Sequence, residues 1–176
     1  MIHVRTPPAI AVAVALGAAL LLPGCSVTGG ASTDDSCISA SNHVSEAGYK
    51  ASRALAVATQ DVSGGAVYDT SKSGTVADDF AEASSQMTTV SSTLDDFAKV
   101  AKGDVADSAG TALTQWATIA TDYQEFADAI RTYDVAKSKQ VAGTMSSDLT
   151  TAQGSFSRIL TAIKGHVKDP NPSFCG

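Results

Sequence analysis

The sequence predicts an all-α fold, an antiparallel up-down four-helix bundle, and three observations carry that expectation. Apolar residues recur four and three positions apart over long stretches, which is the period of one helix face and not of a strand. Glycine, proline and hydroxyl residues gather between those stretches, where turns are expected. The length of 176 residues with 44% apolar side chains suits one globular domain with a core of its own.

The first helix is expected over 37–60, with Val44, Ala47, Ala51, Ala54, Leu55 and Ala58 on one side. Its stripe is mostly Ala, which buries little area, so this helix should either approach its neighbours closely or pack least firmly. Residues 61–74 hold Gly64, Gly65 and Gly74 among hydroxyl residues and read as a long loop. Val76, Phe80, Ala83, Met87, Val90, Leu94, Phe97 and Ala101 then mark a second helix. Thr75 and Asp78 are spaced as a capping box at its start, and Lys99, Lys102 and Gly103 suit its end.

The third helix is the aromatic one: Val105, Ala109, Ala112, Trp116, Ile119, Tyr123, Phe126, Ile130 and Tyr133, with Asp104 as its expected N-cap. A fourth follows, capped by Asp134, with Ala142, Met145, Leu149, Ala152, Phe156, Ile159, Ile163 and Val167 on its stripe; Pro170 and Pro172 stop it. Gly110, Gly143 and Gly154 fall inside helices at a cost of about 1 kcal/mol each unless they permit close packing. Four such helices bury their stripes against one another, and an even number returns the chain to its starting end.

Composition removes one class of function. Asp and Glu (18) outnumber Lys and Arg (12), for a net charge of −6, so the field of the chain repels a phosphate backbone and no nucleic-acid partner is expected.

At the N-terminus a charged start, Met1 to Arg5, leads into the apolar run 9–22, too short for a membrane span of about 20 residues but of the layout of a secretory signal. The run ends in Leu22-Pro23-Gly24-Cys25. This resembles the lipobox of bacterial lipoproteins, in which a Leu and two small residues precede an obligatory Cys; Pro23 departs from the Ala, Ser or Thr usual at its place. The resemblance covers residues 1–25. It implies a signal peptide over 1–24, a diacylglyceryl group on the Cys25 thiol, and anchorage to the outer face of the cell membrane through lipid. The Ala-, Thr-, Asp- and Ser-rich composition resembles that of exported actinobacterial lipoproteins.

With Cys25 lipidated, the odd cysteine count leaves Cys37 and Cys175, which are expected to pair in a compartment where disulfides persist. Helix count and pairing agree, since both ends of the bundle domain, 37–176, fall together. The intervening 25–36 reads as a flexible lipidated tether, of which residues 26–36 are turn and solvating residues that span about 35–40 Å when stretched.

Chemistry-bearing constellations are few. A di-iron bundle needs about four Glu and two His with Glu-x-x-His spacing. After Cys25 the chain has Glu46, Glu82 and Glu125, none followed three residues later by His. His43 and His166 are expected near the disulfide end and, with Tyr49, are candidate ligands for haem or a small apolar molecule. Solvated surface histidines are the simpler account. The pairs Asp78-Asp79 and Asp95-Asp96 read as solvated faces, and the Trp116–Tyr133 stripe as core. No nucleophile elbow, phosphate loop or zinc motif occurs, so no catalytic residue, metal or cofactor is assigned. The expected function is that of a non-enzymatic envelope lipoprotein presenting a helical face to a protein or cell-wall partner, the alternative being a carrier.

Overall fold

Four helices run through the described residues: α1 (Asp34–Ser63), α2 (Ser73–Val100), α3 (Gly103–Arg131) and α4 (Val135–Gly165). The structure is a computed structural model and describes residues 34–63, 69–165 and 172–175. Cys25, His166 and the segment expected to be a signal peptide lie outside them. The helices form an antiparallel up-down bundle, with α2 and α3 the closest pair, α1 laid on α2 and α4 on α3.

The expected stripes face inward. All eight apolar residues named for α2 are buried, and on α3 the run from Ala109 to Ile130 is buried with them. On α4 the stripe is joined by Val141 and Leu160, whereas Ala142 is only partly buried. Small polar residues let α2 and α3 come close: Ser84 Oγ donates to the carbonyl of Ala120 at 2.7 Å and Ser91 Oγ to that of Leu113 at 2.9 Å. The two contacts lie seven residues apart on each helix, one heptad of an antiparallel seam. Phe80 fills the same seam further along, with ring centroids 5.4 Å from Tyr123 and 4.7 Å from Phe126.

Several boundaries differ from the sequence expectation. Helix α1 begins at Asp34, so the last three residues assigned to the tether are helical; two aspartates at a helix start are favoured by the macrodipole. Helix α2 begins at Ser73, ahead of the expected Thr75–Asp78 box, and Lys72 at its cap makes no side-chain bond. A turn at Asp69 sets this start: its carbonyl accepts the amides of Lys72 and Ser73, and its carboxylate accepts the amide and hydroxyl of Ser71. Those hydrogen bonds hold the Asp69 carboxyl below its ordinary range.

Helix α3 is not capped by Asp104, which sits in its first turn behind Lys102 and Gly103. Lys102 holds the cap position in extended backbone, and Gly103 turns the chain into the helix at φ +60°, a conformation that glycine adopts freely. Asp134, by contrast, caps α4 as expected, its carboxylate accepting the Lys137 amide at 2.9 Å.

Tyr133 is the clearest departure. The α3 stripe was expected to include it, yet it is 56% exposed. The amide of Tyr133 bonds to the Ile130 carbonyl and that of Asp134 to the Ala129 carbonyl, the two bonds of a Schellman termination. The residue between must be left-handed, and Tyr133 adopts φ 55°. It therefore leaves the helix direction, and its hydroxyl lies 3.0 Å from Ser73 Oγ, joining the α3–α4 turn to the start of α2.

Candidate functional site

The end of the bundle where the chain enters and leaves is fixed by more contacts than one covalent bond. Cys37, in the first turns of α1, forms a disulfide with Cys175, with Cα atoms 5.6 Å apart, and both residues are buried. The carbonyl of Phe174 accepts the Lys102 amide from the α2–α3 connection at 2.8 Å. The Phe174 ring meets Phe97 edge-on at 5.9 Å between centroids. The tail thus closes three elements at one end: α1 through sulfur, α2 through a ring, and the α2–α3 turn through a backbone bond.

Of the candidate ligands, His43 and Tyr49 belong to α1, and His166 lies outside the described residues. His43 is exposed on α1, and Tyr49, six residues further on, is 41% exposed and nearly two turns away. Glu46, between them, is held below the ordinary glutamate range by its hydrogen bond and charge pair with Lys50 at 2.7 Å. Among the described residues no three of His, Cys, Asp and Glu gather so as to hold a metal ion.

The aromatic stripe of α3 packs against side chains. Trp116 meets Phe156 of α4 edge-on at 5.3 Å, and Phe156 in turn lies over Gly48 of α1, where an added Cβ would come within 2.4 Å of the ring. The Trp116 indole N–H is buried with no partner among the described residues. Burial also drives the Tyr123 hydroxyl far above its ordinary titration range.

Gly110, Gly143 and Gly154 do not serve close packing, because an added Cβ would meet nothing within 4 Å at any of them. Gly48, which sequence reasoning passed over, is the glycine that does. Its signal was an unassigned Gly four residues after Val44, on the buried side of an Ala-rich stripe.

Of the paired aspartates, Asp78, Asp95 and Asp96 are solvated and face cations. Asp78 accepts from Arg131 at 2.8 Å across α2 and α3, and Lys99 sits 2.7 Å from Asp95 and 3.5 Å from Asp96. These pairs hold Arg131 and Lys99 above their ordinary ranges, the hydrogen bond being the first cause in each. An open depression of about 690 Å³ runs along α3 past Asp107, Gly110, Thr114 and Gln115. Large apolar side chains exposed elsewhere are Tyr49 and Val57 on α1, two turns apart, and Tyr133 and Val135 at the opposite end from the disulfide.

No helix of the described residues is long and apolar enough to cross a membrane. No family model, no curated protein and no solved structure matches the chain.

Proposed function

We propose that the chain is a non-enzymatic lipoprotein of the cell envelope, anchored on the extracytoplasmic side of the membrane through lipid on Cys25 and presenting a helical surface to an envelope protein or cell-wall partner. The observation that carries the reading is the Leu22-Pro23-Gly24-Cys25 word at the end of a short apolar run. Cysteine usage supports it. Cys37 and Cys175 are joined, so Cys25 is the remaining thiol of the three. A thioether-linked diacylglyceryl group buries two acyl chains, and two are what stable anchorage requires.

The outer side of α1 is the surface this reading puts forward for a partner. Tyr49 and Val57 lie there, on the helix nearest in sequence to the anchor. Mass spectrometry of the membrane fraction tests the proposal. The expected product is an acylated peptide beginning at Cys25, with Cys25→Ser abolishing it and releasing the chain from membranes. An N-terminal peptide that retains residues before Cys25, or begins after it, refutes the anchor.

A further inference from the structure

The seam between α3 and α4 carries a pair of like charges that the folding of the bundle does not explain. Ser155 Oγ of α4 donates to Gln115 Oε1 of α3, and one residue along, Trp116 meets Phe156. In an antiparallel pair, seven residues forward on α3 and seven back on α4 repeat the same rung. From Gln115 and Ser155 that step arrives at Asp122 and Asp148, two carboxyls facing each other where the previous rung has an amide and a hydroxyl. Asp122 Oδ2 is buried with no donor among the described residues. A carboxylate only accepts, so two of them cannot bond to each other until one takes a proton.

We propose that Asp122 and Asp148 are a proton-operated clasp between α3 and α4: one proton held between the two carboxyls joins the helices, and its loss sets two negative charges against each other in the seam. The charged groups acting on Asp122 are Asp148 and Lys137 from α4 and Glu125 three residues along α3. Glu125 and Lys137 pair with each other at 2.6 Å, which spends much of the Lys137 charge on a partner other than Asp122. Partial burial first, and then the charge of Asp148, hold the Asp122 carboxyl above its ordinary value of 3.8. A carboxyl raised in the folded state binds its proton more tightly there than in the unfolded chain. The clasp therefore adds stability as pH falls through its titration and withdraws it as pH rises.

Carboxyl carbon-13 NMR of the whole chain over a pH series tests the clasp in the wild-type protein. Asp122 is expected to titrate above the ordinary aspartate range and to return towards it in Asp148→Asn, whose amide donates to the carboxylate. Titration of Asp122 within the ordinary range, or no change in Asp148→Asn, overturns the proposal. Denaturant unfolding supplies a second readout through Asp122→Asn, which carries a permanent donor. Its folded-to-unfolded ratio should exceed the wild type by about three- to tenfold near pH 7.5, with the gap closing towards about pH 4. A gap that is absent, reversed or independent of pH overturns the proposal as well. The inference stands on the α3–α4 seam alone, so failure of the Cys25 anchor leaves it unchanged.

Discussion

At Gly48 a hydrogen atom is all that the Phe156 ring allows on α1, since an added Cβ would approach two of its carbons within 2.5 Å. The ring is itself fixed from the far side by Trp116, so it cannot retreat without disturbing α3. Gly48→Ala should lower stability by about 1–3 kcal/mol through overpacking, despite the better helix propensity of Ala. Gly154→Ala, where a Cβ meets open space, should raise it by about 0.5–1 kcal/mol. Denaturant midpoints of the two variants, measured side by side, check that opposite substitutions of one kind differ in sign. Both glycines sit in helical pattern, and periodicity alone treats them alike; the ring that separates them comes from a helix more than a hundred residues away in the chain.

Helix faces were legible because a 3.6-residue period is written in the sequence, and every stripe residue from Val76 to Ala101 is buried. Helix ends were less so. Asp134 was readable as a cap because its carboxylate acts on amides three residues ahead, and Asp134→Ala should cost about 0.5–2 kcal/mol in unfolding free energy. The starts of α2 and α3 were not, since an Asp69-centred turn and the left-handed Gly103 displaced the expected caps. Tyr133 looked like one more stripe position. A Schellman termination takes the residue in its left-handed slot out of the helix whatever its hydropathy, and Tyr stands here where Gly is common. The Asp122–Asp148 pair was illegible for a related reason. Which residues of α3 and α4 share a rung is set by that turn and by packing, neither of which has a period.

For the whole molecule the legible part was the return of the chain to its starting end, deduced from an even helix count and two spare thiols. The Cys37–Cys175 bridge fits that deduction. Cys37→Ser with Cys175→Ser should cost about 2–5 kcal/mol and lower the melting temperature, as scanning calorimetry would read. Helical circular dichroism should persist below the new midpoint, because the four stripes remain buried.

Acidification acts on the fold in two directions. Asp69, with its carboxyl lowered by hydrogen bonds to Ser71, contributes stability that is present above the unfolded aspartate range and is lost as pH falls through its folded value. Asp122 contributes in the opposite sense. Asp69→Asn should therefore flatten the fall in stability at the acid end of a pH series, while Asp122→Asn should flatten the rise that precedes it.

The closed end also decides how a mechanical load enters the fold. Tension on the chain ahead of Asp34 reaches Cys37 within the first turn of α1 and passes through sulfur to the docked tail. Peeling α1 away from that end requires Phe174 to be drawn off Phe97 and its carbonyl off the Lys102 amide in the same movement. A helix that would unzip one turn at a time is loaded instead together with α2 and the α2–α3 connection, so a tug from the N-terminal side is resisted by several contacts at once.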